Sequence, residues 1–397
     1  MVKERIKSLA KEHALELIKI RHHLHANPEL SYQEFETSKF VQKKLKEFGI
    51  PFEVKATTGV VGLLKGRNPA NRIVALRADM DALPIKEENN VDYKSKRDGV
   101  MHACGHDVHT TCLLGAARIL NELKQEWQGT VKLIFQPGEE RNPGGASIMI
   151  KEGVLEDPKP QAIFALHVNP QLETGRLSFR SGQVMASADE LYFTIRGKGG
   201  HAASPHTSID PILIASHLVI ALQQVISRNR NPFDASVLSI TAINGGTTTN
   251  VIPDEVKLMG TFRAMNEDWR SKAHQLIERM AKELVTSMGG EIFVNIDKGY
   301  PAVYNNEQLN EQAKRLAEQF MGKENISETE MRMGAEDFGY YSHLIPGCFY
   351  RLGTGNKKKG IIAGVHTPHF NIDENAIEIG TCMMAWIGST VDLNDNF

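Results

Sequence analysis

The sequence predicts an α/β protein in which a mixed-sheet catalytic domain is interrupted by an inserted ferredoxin-like α+β domain. Three observations carry this. Apolar runs of buried-strand type alternate with helical stretches in the first half, a β-α-β-β-α-β order fills the middle, and α/β character returns at the end. The expected segments are 1–185 for the first part of the catalytic domain, 186–298 for the insert and 299–397 for the second part. At 397 residues the chain is longer than one typical hydrophobic core requires, which also favours two domains.

The elements follow in order. Charge and aliphatic residues recur at helical spacing over Glu4–Leu24, a turn follows at Asn27-Pro28-Glu29, and a second helix is predicted from Tyr32 to Phe48, closed by Gly49. Strands are predicted at Arg72–Ala78, Thr130–Phe135 and Ala162–Leu166, with a helix over Thr110–Leu123. Each strand delivers polar residues past its carboxyl end: Asp79 and Asp81, then Glu139 and Glu140, then His167. Open α/β sheets bind ligands along that edge. The insert reads as strand Glu190–Arg196, helix Ile209–Asn229, strands Ser236–Asn244 and Glu255–Arg263, helix Trp269–Met288 and strand Glu291–Asp297. After it come a helix at Leu309–Phe320, a strand at Cys348–Leu352 and a last helix at Glu374–Thr390.

Composition excludes several classes. Hydrophobic residues at 41%, charged residues at 24% and a formal net charge of -2 describe an ordinary globular chain with no basic block for nucleic acid or an anionic membrane. No unbroken run of eighteen apolar residues occurs and the N-terminus lacks a signal-peptide core, so a cytoplasmic location is expected. The four cysteines are too few and too dispersed for a disulfide scaffold.

The run His102-Ala-Cys104-Gly-His106-Asp107-Val-His109 places three imidazoles, a thiol and a carboxylate in eight residues. One flexible glycine separates Cys104 from His106, so both can converge on one ion. Gln136-Pro-Gly-Glu139-Glu140 adds paired carboxylates, of which one can ligate a cation while the other transfers protons. A solvated Glu-Glu pair is the bland alternative, made less attractive by the strand end and the Gly144-Gly145 turn beside it. His167 and the late run Val365-His366-Thr-Pro-His369-Phe370 supply further imidazoles. This mixture suits zinc, or manganese, cobalt or nickel, better than magnesium or calcium, which prefer oxygen shells. Cys104 as a nucleophile is the rival reading. It leaves Glu139, Glu140 and His366 without a common purpose.

Together these marks resemble the M20 metallopeptidase superfamily, in its amidohydrolase branch of hippurate hydrolases, N-acyl-amino-acid amidohydrolases, related carboxypeptidases and auxin-conjugate hydrolases. The resemblance rests on His25-Ala-Asn-Pro28-Glu29, Leu76-Arg-Ala-Asp79-Met-Asp81-Ala-Leu-Pro84, the His102–His109 run, Gln136–Glu140, Gly200-His201-Ala-Ala-Ser-Pro-His206, Gly245-Gly-Thr-Thr-Thr-Asn250-Val-Ile-Pro, Gly334-Ala-Glu336-Asp337-Phe, and His366-Thr-Pro-His369-Phe, which span nearly the whole chain.

The resemblance implies a zinc-aminopeptidase-like catalytic domain holding two divalent ions, with Cys104, His106, Glu140, His167 and His366 as ligands. It implies Glu139 as general base and then acid, and Asp79, Asp81 and Asp107 in orienting roles behind the ligands. Asp79 stands where the wider superfamily has a metal histidine, which this chain lacks. The insert is implied to form a homodimer and to lend His201 to the partner's active site. Asn250 and Arg263 match positions linked to the substrate carboxylate, a surface salt bridge being the rival role for Arg263, and Gly353 to close backbone approach by the substrate. The implied activity is hydrolysis of N-acyl-L-amino acids, with a carboxypeptidase or dipeptidase acting on short peptides as the alternative. A binding protein that keeps the fold without catalysis is a third reading, disfavoured by the complete set of Glu139, ligands and His201.

Overall fold

A computed structural model describes residues 2–393. The chain divides into two compact units, Met1–Gly182 with Tyr304–Glu330 and Asp337–Phe397, and Gln183–Val303 with Met331–Glu336.

The first unit is built on an eight-stranded mixed sheet. Its order is Phe52–Lys55, Gly59–Lys65, Thr130–Gln136, Ile73–Asp79, Ala162–Glu173, Gly347–Gly355, Leu177–Phe179 and Ile326–Glu328. The four strands from Thr130–Gln136 to Gly347–Gly355 run parallel. Every residue of Thr130–Gln136 is buried, which is why that strand reads as continuous rather than alternating. Helices Val2–Ala26, His106–Glu122 and Asn375–Thr390 pack together over the sheet, through Leu17, Leu113, Ala117, Leu120 and Met384 among others.

Several boundaries differ from those the sequence predicts, each for a local reason. The second helix begins at Phe35 rather than Tyr32, because Tyr32 sits at φ 65 and the Glu34 side chain turns back to accept from the Tyr32 amide. The third helix begins at His106, four residues before Thr110, so its first turn carries the ligand candidate His106. The third strand does not end before His167. It runs to Glu173, and His167 lies within it, paired with Arg351 across the parallel ladder.

The second unit has a four-stranded antiparallel sheet in the order Ser236–Asn244, Glu255–Ala264, Asp189–Arg196 and Glu291–Lys298. Helices Pro211–Gln224 and Glu267–Ser287 pack on it through Ile214, Leu218, Leu222, Ala273 and Ile277, facing Leu191, Phe193 and Ile195. Asp210 caps the first helix by accepting from the amides of Ile212 and Leu213. The stretch Pro211–Asn229 is apolar enough by length and composition to cross a membrane, at 19 residues and a mean hydropathy of 1.3. Its buried stripe is instead part of this unit's own core. Asp189 is fully enclosed, accepting from Arg270, His274 and the amide of Gly299.

Candidate metal centre and active site

The candidate ligands of the first unit gather at the carboxyl edge of its parallel strands. Gly105, at φ 85, sets the turn between Cys104 and the helix that starts at His106; a Cβ there would lie 2.6 Å from Val168 Cγ2. His366 also holds a positive φ, 62°, rare for a side chain of its size, with its amide donating to the carbonyl of Ala103 at 2.8 Å. That bond ties the late loop to the early one, and backbone strain held by such contacts is a mark of functional sites.

Two of the imidazoles, His106 and His167, are oriented by the nitrogen that does not face the centre. His106 Nδ1 donates to Asp81 Oδ1 at 3.1 Å, leaving the buried Nε2 with no hydrogen-bond partner. His167 Nδ1 donates to the Val168 carbonyl at 2.8 Å, leaving Nε2 3.4 Å from Cys104 Sγ. His366 Nε2 lies 3.3 Å from the same sulfur and 3.2 Å from Glu140 Oε1. A metal-binding histidine is expected to be fixed in this way through its other nitrogen.

Among the described residues five donor triples emerge; two share the sulfur, Cys104 with His106 and His167 and Cys104 with Glu140 and His366, and His106 recurs in two more, with Asp79 and His109 and with Glu139 and Glu140. Within each, the ligand atoms lie within 4.8 Å of one another. Glu139 and Glu140 also converge on His106, with Glu139 Oε2 4.0 Å and Glu140 Oε1 3.9 Å from its Nε2. Burial alone would lower the His106 pKa, but Asp79, Asp81 and Glu140 outweigh it and push it up to about 10. Burial and the carboxylates of Glu140, Glu139 and Asp79 hold the Cys104 thiol well above its usual range. Burial, with Arg351 and His109 nearby, keeps His167 neutral by holding it well below the usual imidazole range. A dense anionic pocket with unpaired ligand atoms is the electrostatic setting a divalent cation fits, and the thiol, imidazole and carboxylate mixture suits zinc-type ions.

The surrounding residues show why those atoms stay in place. Asp81 also accepts from the Ser31 hydroxyl at 2.7 Å and the Glu140 amide at 2.9 Å, so one carboxylate fixes both a ligand imidazole and a ligand backbone. Asp79 accepts from Arg77 at 2.6 Å and from His109 Nδ1 at 2.5 Å. Arg77 and Gln136 both bond Asp337, which also accepts from the Ala146 amide at 2.9 Å. Asp107 faces away from the donor triples and is bonded at 2.8 Å to both Arg21 Nε and His25 Nδ1. Its orienting role is therefore to anchor the start of its helix to the N-terminal helix.

Three further histidines separate cleanly. His109 has both nitrogens engaged, since Nε2 accepts from the Val168 amide at 2.9 Å, so it braces the strand carrying His167 rather than offering a free donor. His102 is buried, and burial pushes its pKa down to about 4. His369 is exposed and pairs with Glu88 at 3.2 Å.

In the second unit, Gly200–His201 pairs with Val251–Ile252, and the Ala202 amide donates to the Asn250 carbonyl, which brings His201 and Asn250 side by side. His201 is exposed, and its Nδ1 accepts from the Ala203 amide at 3.0 Å, so Nε2 carries the proton of the neutral ring and is available as a donor. Arg263 is half-buried, with its Nε donating to Thr261 at 3.1 Å. Gly353 does not require a substrate to explain it: a Cβ there would lie 2.2 Å from the carbonyl oxygen of Glu173 and 2.9 Å from that of Arg176. The close backbone approach at this position is made by the protein itself.

The pattern of peptidase family M20/M25/M40 matches residues 75–387, more than half of the chain. The chain belongs to this family. An M20 chain with these donor triples is a metal-dependent hydrolase of amide bonds. It is 41% identical over 375 residues to IAA-amino acid hydrolase ILR1-like 4 of Arabidopsis thaliana, covering 93% of this chain and 84% of the relative. It is 39% identical over 381 residues to thermostable carboxypeptidase 2 of Saccharolobus solfataricus, covering 95% of each. Among solved structures, it matches the Bacillus subtilis YXEP protein, a dinuclear metal-binding peptidase from the M20 family, with a TM-score of 0.83 and 34% identity over 96% of this chain and 98% of that one.

Ser31, Arg77 and Gln136 support this M20 site without a role assigned to them from the sequence, although Arg77 and Gln136 stand inside its motifs, and the same holds for the bracing role of His109. The contacts of Arg77 and Gln136 join residues up to 260 positions apart, for which one sequence carries no signal. His109 could have been found, since it stands three residues after His106 on a helix and so shares its face.

Proposed function

We propose that this M20 protein hydrolyses N-acyl-L-amino acids, with N-acetyl, N-benzoyl or similar acyl groups, using Cys104, His106, Glu140, His167 and His366 to hold two divalent ions, zinc foremost. The observation that carries the reading is that Cys104 Sγ is common to two separate donor triples. The shared thiolate would contribute to holding both ions, whereas a nucleophilic cysteine would need one imidazole as base, not two ligand sets. Two ions held there lower the pKa of a bound water and polarise a carbonyl oxygen.

The chain's own groups complete the reaction. Glu139 is buried at the strand end beside the donor set, placed to take a proton from the attacking water and return it to the leaving nitrogen. His201 donates from Nε2 to the oxygen that gains charge, an interaction whose loss costs about 10²–10³ in kcat in comparable sites. Arg263 and Asn250 recognise the free carboxylate, for which a guanidinium fork is chemically suited. We read the second unit as a ferredoxin-like module that mediates a homodimer and presents His201 to the partner's site.

The reading as a carboxypeptidase or dipeptidase on short peptides is supported by the relative named a carboxypeptidase, since the same chemistry serves both bonds. A panel of N-acetyl and N-benzoyl amino acids against dipeptides of matched C-terminal residue, assayed with zinc, manganese, cobalt and nickel, separates them. The acyl compounds are expected to have the higher kcat/KM by at least tenfold. Equal or greater turnover of the dipeptides assigns the enzyme to peptides instead.

A further inference from the structure

The loop Pro137–Gly144, which carries both Glu139 and Glu140, is held from outside by a short segment that neither ligates nor reaches the donor triples. Glu34 is fully buried, and its Oε1 accepts from the Gly138 amide at 2.8 Å and from the Tyr32 amide at 2.9 Å, while Oε2 accepts from the Thr58 hydroxyl at 2.9 Å. Tyr32 reaches the other end of the same loop. Its hydroxyl donates to the Arg141 carbonyl at 2.6 Å and accepts from the Gly144 amide at 3.0 Å. Its ring lies against Gly138 so closely that a Cβ there would come within 2.3 Å of it. Tyr32 takes φ 65 to make these contacts, a conformation that costs energy for a residue with a Cβ.

Both ends of the loop are thereby pinned, with the two glutamates between them. We propose that Glu34 and Tyr32 are positioning residues that clamp the Glu139–Glu140 loop and so set the base relative to the donor triples. The inference rests on the reading of Glu139 as base for its catalytic consequence, but the clamp itself can be tested without it.

Acceptor geometry, rather than charge, is what Gly138 and Tyr32 demand. Burial and the neighbouring Asp81 push the Glu34 carboxyl up to about 7, so the neutral acid is within reach near neutral pH, and its hydroxyl can donate to Thr58. A glutamine in the same place keeps an oxygen for the two amides and an NH₂ for the Thr58 hydroxyl. Alanine keeps none of these and takes the acceptor away from three donors, the Tyr32 and Gly138 amides and the Thr58 hydroxyl.

The test combines hydrogen exchange on the metal-free full chain with steady-state kinetics on the zinc-loaded protein, for Glu34→Ala, Glu34→Gln and Tyr32→Phe. Glu34→Ala is expected to speed exchange of the Gly138 amide at least tenfold and to lower kcat at least tenfold with KM changed less than threefold. Glu34→Gln is expected to restore both to within threefold of the parent. Tyr32→Phe is expected to speed exchange at Gly144 and lower kcat, and it carries the test if Glu34→Ala does not fold. Parent-like exchange at Gly138 or Gly144 in the folded variants overturns the clamp. So does a Glu34→Gln protein as impaired as Glu34→Ala. Normal turnover by an E139Q protein would instead remove the base assignment while leaving the exchange result standing.

Discussion

Cys104 lies in a place where a thiol has little reason to ionise without a cation. Carboxylates surround it, burial disfavours its charge, and the two imidazoles nearest it, His167 and His366, each present Nε2 to the sulfur within 3.4 Å. A thiolate at that point joins both donor triples, whereas His366 belongs to one. Cys104→Ala is therefore predicted to lower bound metal below one equivalent per chain, while His366→Ala retains about one, as read by elemental analysis after gel filtration. Retention of two equivalents by the Cys104 variant would remove the sulfur from the centre. Cys104 and His106 were legible in the sequence because they crowd into one run, whereas His167 and His366 reach the sulfur from 63 and 262 positions away. What was not legible is which imidazole is free. His109 stands in the same run as His106, and only the Val168 amide bonded to its Nε2 shows that it is occupied.

The elements show the same division between local pattern and distant contact. Long apolar strands such as Thr130–Gln136 and Ala162–Glu173 announce themselves by composition. The three-residue strands Leu177–Phe179 and Ile326–Glu328 do not, since their assignment comes from pairing partners far along the chain. The start of the second helix was hidden for a related reason: Tyr32 and Glu34 fit a helical pattern, and only their contacts with the Glu139 loop pull them out of it. In the second unit, strand order alone could not reveal Asp189, a buried carboxylate that accepts from Arg270, His274 and Gly299. Burial opposes its ionisation, but bonds to His274 and Arg270 outweigh this and hold its pKa below the usual carboxylate value. Because the folded pKa lies below the unfolded one, the stability it contributes is present above about pH 4 and is lost as pH falls through the folded value. Asp189→Ala is predicted to cost about 3–5 kcal/mol in urea unfolding at pH 7, since buried Arg270 loses one of its two carboxylate partners and keeps only Glu267. The gap to the parent should narrow by pH 3. A gap that stays constant with pH would assign the loss to packing.

At the scale of the whole molecule, the order of motifs along the chain was enough to place the family to which it belongs. What a single chain's sequence does not contain is the assembly, and the proposed sharing of His201 is a statement about two copies. Mixing His201→Ala chains with E139Q chains is predicted to recover up to about one quarter of parental activity in a statistical population, because only mixed dimers assemble one intact site. No recovery in dimers shown to be mixed would confine each site to one chain. The central claim, however, is that Glu139 moves the proton at a centre the other residues build. The most direct measurement is kcat on an N-acetyl or N-benzoyl amino acid for the parent and E139Q proteins, each with its metal content determined. Two equivalents of metal are expected in both, with a loss of at least 10³ in kcat for E139Q. Turnover near the parental rate in a fully loaded E139Q protein would contradict it.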